Sequence, residues 1–518
     1  MARREIKRLS KALGWVLAAV CAAGLVSAAR GQAVSPSRPN IVVILADDLG
    51  YGDLGCYNPH SKIPTPHLDQ FAREGVRCTD AHSPASVCSP TRYALLTGRY
   101  AWRTRLKRGV LGPWSAPLIE EGRLTLPELL RQHGYATACI GKWHLGWQWP
   151  TRDGKPPATG ADRLSNVDFT QPIGGGPCTR GFEMYFGTDV PNYPPFCHIE
   201  NDRTVGIPSV PSWPHFNVPG PMLPGWNWVN VLPEHATRAV QYIEEVATQR
   251  PGKPFFLYFA LTSPHFPVAP DPAFLGKSQA GEYGDFVVQT DAVVGQVLEA
   301  LQRTGVADQT LVIFTSDNGP EVTGEVKPGV YDRLRQYGHA SSGPLRGAKR
   351  DLWEGGHRVP FLARWPGKIP PGTVSDETIC HVDLLATVAR VLGVSLPEQA
   401  GEDSFDILPA LLGQPLQHSL RPCTIHHSAS GRWAIRQGDW VLIDAPTGDD
   451  NGGPQRRGEP TWLKEQRGYQ EHDQPGELYN LRQDLAQRHN LYAQEPQRVA
   501  AMKALLEQVR QANRSRGL

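Results

Sequence analysis

Three uninterrupted apolar runs are the clearest pattern along this chain. They cover residues 40–46, 255–260 and 310–316, and β-branched or aromatic residues make up most of each run. Such runs are typical of β-strands that are buried on both faces. We therefore predict three central strands of one buried sheet.

Helical patterns lie between these strands. Apolar residues recur at helical spacing in residues 66–74, 126–133, 235–249 and 286–304. Strands that alternate with amphipathic helices are typical of α/β proteins with a parallel sheet. The pattern thus predicts an α/β fold with a large, mostly parallel sheet flanked by helices.

Polar side chains follow each of the three predicted strands. Asp47 and Asp48 come directly after the first strand, His265 follows the second, and Asp317 and Asn318 come directly after the third. In a parallel sheet, ligands bind beyond the carboxyl ends of the strands. We therefore expect these five side chains to converge, although hundreds of residues separate them in the sequence.

Four of these residues are candidate metal ligands: Asp47, Asp48, Asp317 and Asn318. Oxygen ligands suit Ca²⁺ or Mg²⁺, whereas zinc would draw on His and Cys. A lone Asp-Asp pair after a strand is more often a helix N-cap or a turn. Two acidic strand ends in one sheet favour the metal site instead.

Residues 149–225 have a different composition from the rest of the chain. They are rich in Gly, Pro, Asn and aromatic residues and show little periodicity. A stretch this long without periodicity is usually a set of functional loops. An irregular but inert insertion is the alternative.

The chain changes again after residue 412. A hairpin pattern at 433–443 is followed by a polar loop at 444–474, a strand pattern at 477–481 and a helical pattern at 496–511. We therefore predict a main α/β domain at 38–412 and a C-terminal subdomain at 413–518. The subdomain is expected to be a small antiparallel sheet plus a helix.

The first residues have the design of a signal peptide. Five basic residues precede an apolar run at 12–29, and small residues suited to cleavage follow it. We predict a signal peptide at 1–33 and an exported protein, periplasmic or secreted, with no stable membrane span once the signal is removed. An uncleaved membrane anchor is the alternative, because the run approaches bilayer-spanning length.

Net charge and cysteine spacing exclude some classes of partner and of cysteine site. The 518 residues carry a formal net charge of +2, so nucleic acid is not an expected partner. The absence of a Cys-x-x-Cys motif argues against a zinc or redox pair. Export permits disulfides, and Cys178 with Cys197 is the predicted local pair.

Cys88 lies in the most informative motif of the chain. Residues 88–92 read Cys-Ser-Pro-Thr-Arg, and Thr-Gly follows at 97–98. A thiol that acts as itself needs a His or Asn partner in an electropositive pocket, and the neighbouring residues offer a Pro and an Arg instead. A buried structural cysteine at a strand-to-helix turn is the alternative.

This motif resembles the modification signature of the type I, formylglycine-dependent sulfatases, an alkaline phosphatase superfamily group. Further motifs agree: Gly-Lys-Trp-His-Leu-Gly at 141–146, Trp-Glu-Gly-Gly-His-Arg-Val-Pro at 353–360 and Gly-Glu-Leu-Tyr-Asn-Leu at 476–481. The resemblance covers residues 38–490, and the arylsulfatase A-like members are the most similar. It implies an alkaline-phosphatase-like fold with a mixed, mostly parallel sheet.

The resemblance also implies roles for individual residues. Cys88 is expected to be oxidised to Cα-formylglycine by a separate maturation enzyme. The implied ligands of Ca²⁺, with Mg²⁺ as the alternative, are Asp47, Asp48, Cys88, Asp317 and Asn318. The implied catalytic residues are Cys88, Arg92, His144, His265 and Lys349. The implied substrate-binding residues are Lys142, His265 and Lys349.

The expected activity is hydrolysis of the sulfate ester of an aryl compound or a sulfated saccharide, a small molecule or a glycan. Aromatic residues at 147, 149, 193, 196 and 462 are expected to shape the pocket for the leaving group. One alternative is a phosphonate or phosphodiester hydrolase of the same superfamily. Another is a catalytically silent exported binding protein. A phosphoethanolamine transferase is disfavoured because that class commonly uses a Thr nucleophile, zinc and several membrane spans.

Overall fold

The computed structural model describes residues 38–212, 218–322, 328–452 and 458–517. The predicted signal peptide at 1–33 lies outside the described residues. Pro39–Leu518 forms one compact unit, and the predicted boundary at 413 stays a prediction within it. No helix among the described residues is long and apolar enough to cross a membrane.

Eighteen strands occur among the described residues. They are β1 (Asn40–Ala46), β2 (Val76–Cys78), β3 (Ala81–His82), β4 (Ala136–Lys142), β5 (Met184–Thr188), β6 (Ile199–Glu200), β7 (Arg203–Thr204), β8 (Val210–Pro211), β9 (Pro221–Met222), β10 (Phe255–Ala260), β11 (Thr310–Ser316), β12 (Phe361–Arg364), β13 (Thr373–Ser375), β14 (Ile379–Cys380), β15 (Thr424–His427), β16 (Trp433–Gln437), β17 (Trp440–Ile443) and β18 (Glu477–Asn480).

Helices connect these strands, together with six short 3₁₀ segments. The α-helices are α1 (Pro66–Glu74), α2 (Cys88–Thr97), α3 (Leu126–Gln132), α4 (Val231–Gln249), α5 (Gly281–Arg303), α6 (Val330–Tyr337), α7 (Glu354–His357), α8 (Leu384–Leu392), α9 (Leu408–Leu411), α10 (Thr461–Arg467) and α11 (Pro496–Gln511). The 3₁₀ segments are Ala101–Arg103, Pro177–Thr179, Trp228–Asn230, Pro272–Phe274, Ala307–Gln309 and His381–Asp383.

The main sheet has ten strands in the order β13-β2-β12-β11-β1-β10-β4-β5-β6-β7. Its centre is parallel: β1 pairs with β10 and β11, and β4 pairs with β10 and β5. β12 runs antiparallel to β11. The prediction of a mixed, mostly parallel sheet is therefore confirmed.

Burial explains why the three predicted strands read as continuous apolar runs. In β1, Ile41 and Val43 pack into one core cluster, whereas Val42 and Ile44 pack into a second one. Helices α2, α3 and α8 contribute to the first cluster, and α1, α4 and α5 contribute to the second. The sheet is thus covered on both faces, and every position of β1 is buried.

The C-terminal residues form a separate four-stranded antiparallel sheet, β15-β16-β17-β18, as predicted. Helix α11 packs on it through a stripe that includes Met502 and Leu506, which lie in one core cluster with Ile435 and Leu442. The predicted polar loop at 444–474 differs in one respect, because it contains the short helix α10.

Two further predictions are corrected. The loop-rich segment at 149–225 supplies β5, which extends the parallel part of the main sheet, so it is not purely a set of loops. Cys178 and Cys197 are free thiols rather than a disulfide. Cys178 lies in a 3₁₀ segment with its Sγ 3.8 Å from the side-chain oxygen of Asn201, whereas Cys197 is buried.

Candidate active site

The carboxyl ends of the parallel strands meet at one edge of the sheet, as the pattern predicted. The structure brings together there all ten predicted site residues, each at most 9% exposed: Asp47, Asp48, Cys88, Arg92, Lys142, His144, His265, Asp317, Asn318 and Lys349. These residues are spread over three hundred positions of the sequence, and the parallel register of the strands gathers them.

Unusual backbone conformations position several of these side chains. Asp48 and His144 have φ values of 64° and 55°, a region that Asp and His enter more readily than most residues. Gly141 has a φ of 105°, and a Cβ there would collide with the carbonyl of Ala260. Lys142 is the last residue of β4, and the left-handed backbone at His144 breaks the strand direction two residues later.

Cys88 is the first residue of helix α2, and all ten residues of that helix are buried. Its Sγ lies 3.8 Å from Asp47 Oδ1. Burial raises the pKa of the Cys88 thiol to about 12, against the opposing effect of Lys142 and Lys349. A thiol with this pKa stays protonated at neutral pH, and a protonated thiol is a poor nucleophile.

Arg92 lies one helical turn after Cys88 and is completely buried. Its Nε and Nη2 both donate to Asp317 Oδ2, at 3.0 and 2.7 Å, and its Nη1 donates to the Lys142 carbonyl. Arg92 Nη2 also lies 3.6 Å from Asp47 Oδ1. The guanidinium therefore ties the two acidic strand ends to the helix that carries Cys88.

Two lysines neutralise the Asp pair after β1. Lys142 Nζ donates to Asp47 Oδ2 and Lys349 Nζ donates to Asp48 Oδ2, both at 2.7 Å. Burial disfavours each ammonium, yet the neighbouring carboxylate holds the pKa of both lysines above its usual value. Both lysines therefore remain charged beside Cys88.

The two histidines are neutral, and their hydrogen bonds fix their tautomers. His144 Nε2 donates to the Leu111 carbonyl and leaves a bare, unpartnered Nδ1. His265 Nδ1 donates to the Phe266 carbonyl and leaves a bare Nε2, 3.7 Å from Asp48 Oδ2. Burial lowers the pKa of His265 to about 3 and that of His144 well below its usual value. Each ring thus presents a lone pair to the site.

The donor set fits a hard divalent cation. Carboxylate oxygens of Asp47 and Asp48 lie within 4.8 Å of each other, and Cys88 Sγ and a ring nitrogen of His265 lie within the same distance of both. Asn318 Nδ2 donates to Asp48 Oδ1, whereas its Oδ1 is buried without a hydrogen-bond partner. An orphaned amide oxygen beside paired carboxylates is the arrangement that an oxygen-coordinated Ca²⁺ or Mg²⁺ would complete.

A cavity of about 250 Å³ leads from the protein surface to Cys88. His144, His265 and Lys349 also line it. Among the predicted aromatic residues, Tyr193 lines the cavity. The other four predicted aromatic residues are not among its lining residues: Trp147, Trp149, Phe196 and Trp462.

Three polar residues of the cavity wall were not predicted: Asn192, Glu321 and Arg350. Arg350 Nη1 and Nη2 donate to the two carboxylate oxygens of Glu321, at 2.6 and 2.7 Å. Glu321 Oε2 also lies 3.4 Å from Lys349 Nζ. Their positions in the sequence could have indicated Arg350 and Glu321 as site residues, because Arg350 follows Lys349 directly and Glu321 comes shortly after the end of β11.

A buried cysteine at a helix start, ringed by carboxylates and lysines at parallel strand ends, is an arrangement suited to binding a charged tetrahedral group. A family model described as Sulfatase matches residues 39–394. The chain belongs to the sulfatase family, and it is a sulfuric ester hydrolase.

Named relatives agree with this assignment. The chain is 31% identical to the N-acetylgalactosamine-6-O-sulfatase of Bacteroides thetaiotaomicron, over 91% of this chain and 93% of that protein. It is 37% identical to arylsulfatase A of Homo sapiens, over 80% and 76% of the two chains. A solved structure described under metabolism of multiple glycosaminoglycans by Bacteroides thetaiotaomicron has a TM-score of 0.77 at 28% identity and covers 92% of this chain and 100% of its own.

Proposed function

We propose that Cys88, converted to formylglycine by a separate maturation enzyme, supplies the nucleophile with which this sulfatase hydrolyses sulfate esters. The observation that carries the proposal is the position of Cys88 in the wall of the cavity, at the start of a buried helix, between Lys142 and Lys349. The hydrated aldehyde supplies two hydroxyls on one carbon, so that one attacks sulfur and the other allows sulfate to leave.

The cationic side chains around Cys88 bind the sulfuryl oxygens. Lys142 and Lys349 remain charged in a buried site, where charge-assisted hydrogen bonds are strong. Arg92 orients Asp317 and balances the negative charge at the base of the site. The three side chains thus stabilise the charge that develops on sulfate during transfer.

The residues that hold a cation in this proposal are Asp47, Asp48, Asp317 and Asn318, together with the modified Cys88. Ca²⁺ is the proposed ion, and Mg²⁺ is the alternative. When bound, the cation lowers the free energy of deprotonating a hydroxyl and of binding an anionic substrate.

Proton movements follow from the tautomers. His144 accepts a proton at its bare Nδ1, since Nε2–H is held by the Leu111 carbonyl. Lys349 is the proton donor for the leaving oxygen, because its ammonium lines the cavity and stays charged. His265 presents a bare Nε2 and accordingly accepts a hydrogen bond rather than donating one.

A sulfated sugar is the proposed substrate class, with 6-O-sulfated N-acetylgalactosamine as the first compound to test. The name of the Bacteroides thetaiotaomicron relative supports it, and so does the cavity wall. Asn192 Oδ1 is buried there without a hydrogen-bond partner. An acceptor of this kind suits a hydroxyl or acetamido N–H of a sugar, which a simple aryl sulfate lacks.

Export is part of the proposal. The basic and apolar pattern of residues 1–33 supports a signal peptide and a periplasmic or secreted enzyme. Sulfated glycans of other cells are encountered outside the cytoplasm, so this location agrees with the proposed substrate.

The mass of the peptide that contains Cys88 tests the nucleophile. In protein from its native source, we expect a loss of about 18 Da relative to the cysteine form, because the conversion removes sulfur and two hydrogens, one from the thiol and one from Cβ, and adds one aldehyde oxygen. The peptide that contains the buried Cys139 is the internal control and should keep its thiol mass. An unmodified Cys88 in active enzyme would overturn the proposal. Turnover of an aryl sulfate and an aryl phosphodiester is compared separately, and a clear preference for the phosphodiester would favour the phosphodiesterase alternative.

Substitution of Asn192 tests the substrate class. Asn192→Ala should lower kcat/KM about 5- to 150-fold on N-acetylgalactosamine 6-sulfate, since a polar group of the sugar loses its partner. Its effect on para-nitrophenyl sulfate should stay within about 3-fold, because that compound makes no such hydrogen bond. Equal losses on both compounds would contradict recognition of a sugar by Asn192.

A further inference from the structure

A second cavity, of about 460 Å³, lies where the C-terminal helix α11 meets the segment after α2. We call it the basic groove. Four cationic side chains, two tryptophans and a single carboxylate are among its lining residues: Arg99, Trp102, Arg103, Lys107, Trp433, Glu507, Arg510, Gln511 and Asn513. The lining is thus strongly biased towards positive charge.

Two of the four cationic side chains, Lys107 and Arg510, are not neutralised by a strong ion pair with another described residue. Arg99 and Arg103 are paired with carboxylates of a neighbouring loop. Lys107 Nζ donates to a backbone carbonyl at 2.7 Å, and it has no ion-pair partner in the described part of the chain. Arg510 pairs with Glu507 within the same exposed helix face, and such a surface pair is weak.

The two tryptophans of the groove add a hydrogen-bond donor, Trp102 Nε1, and an aromatic ring surface, that of Trp433. Trp102 is 6% exposed, and its Nε1 is buried without a hydrogen-bond partner. A buried N–H without an acceptor is unfavourable, so this donor is suited to an oxygen atom of a ligand. Trp433 packs edge-on against Trp102 with ring centroids 5.0 Å apart, and the Arg510 guanidinium lies 4.7 Å from its ring centroid.

The basic groove adjoins the active-site cavity. Lys107 lines the groove and Gly109 lines the cavity, and two residues of extended chain span at most about 7 Å. The Gly109 N–H donates to the Ala429 carbonyl at 2.7 Å, and Ala429 also lines the cavity. Segment 107–109 thus joins the wall of the groove to the wall of the cavity, and a chain of sugars that leaves the cavity along this segment leads towards the groove.

We propose that the basic groove binds the anionic sugars of a glycan chain whose terminal sulfate ester lies beside Cys88. A sulfate or carboxylate of a following sugar accepts hydrogen bonds from Lys107 Nζ and Trp102 Nε1, Arg510 adds attraction, and Trp433 packs against a sugar face. This inference rests on the proposed glycan substrate and adds that the enzyme favours longer anionic chains.

Binding to Cys88→Ala protein tests the groove without turnover. The probes are N-acetylgalactosamine 6-sulfate and a sulfated tetrasaccharide with the same sugar at its non-reducing end, compared by titration calorimetry. The tetrasaccharide should bind about 10-fold more tightly, because it gains charge-assisted contacts. Adding Lys107→Ala and Arg510→Ala together should remove most of this advantage and leave monosaccharide affinity within about 2-fold.

Lys277→Ala is the matched control, because Lys277 is exposed and lines neither cavity. The tetrasaccharide advantage should also shrink with rising salt in the parent protein and much less in the Lys107→Ala/Arg510→Ala variant. Equal affinity for the two probes would overturn the proposal that the basic groove binds anionic sugars. An equal loss of the tetrasaccharide advantage in Lys277→Ala would overturn it as well. Hydrolysis of para-nitrophenyl sulfate by the matured wild-type enzyme reports separately on the proposed nucleophile.

Discussion

Replacing Cys88 by serine should reduce steady-state sulfate ester hydrolysis at least about 10⁴-fold and leave a single turnover. A serine has one hydroxyl, which can take the sulfuryl group from the substrate but offers no second hydroxyl to expel it. Rapid-quench measurement should therefore find no more than one equivalent of released alcohol per enzyme. Sustained turnover by Cys88→Ser would contradict the proposed role of a hydrated aldehyde.

Cys88→Ala separates this effect from misfolding. It removes the nucleophile altogether, so neither a burst nor turnover is expected. Because the change deletes only one sulfur atom, the near-ultraviolet circular dichroism should match that of the parent protein. A burst from Cys88→Ala equal to that from Cys88→Ser would assign the attacking group to another residue.

Lys349→Met should have the second-largest effect, lowering kcat about 10²- to 10³-fold through loss of charge stabilisation at the leaving group. It should also destabilise the protein by about 3–5 kcal/mol without added metal, because the Asp48 carboxylate, 1% exposed, loses its 2.7 Å partner. Thermal unfolding with and without Ca²⁺ measures the second effect.

Added Ca²⁺ should restore much of the lost stability but not the activity, since the ion replaces a positive charge near Asp48 without replacing a proton donor. Lys277→Met is the control, because an exposed lysine should change neither quantity appreciably. An unchanged kcat in Lys349→Met would remove Lys349 from the proposed mechanism.

The central sheet could be predicted from the sequence because burial on both faces leaves a simple pattern. Every position of β1, β10 and β11 is buried, so each strand appears as an apolar run. β5 has partly exposed positions and lies among Gly- and Pro-rich residues, and its pattern is that of a loop. Helix α4 begins at Val231 rather than at 235, because its first turn continues from a 3₁₀ segment that apolar spacing does not mark.

The sequence indicated which residues meet at the site, but not which of their side chains pair with each other. Strand ends and motifs indicated which residues meet. The Lys142–Asp47 and Lys349–Asp48 contacts join residues 95 and 301 positions apart, and sequence alone does not state which lysine meets which carboxylate. The His144 and His265 tautomers depend on backbone carbonyls at Leu111 and Phe266, which follow only from the folded chain.

The burial of Cys88 also bears on when the enzyme becomes competent. Only 2% of this residue is exposed, its whole helix is buried, and Cys88 lines a cavity rather than the outer surface. Under the proposed conversion, a maturation enzyme must therefore reach the Cys-Ser-Pro-Thr-Arg segment while the chain is still unfolded. A molecule that folds before modification keeps an unmodified, buried Cys88 and stays inactive. The yield of active enzyme therefore depends on the rate of modification relative to the rate of folding.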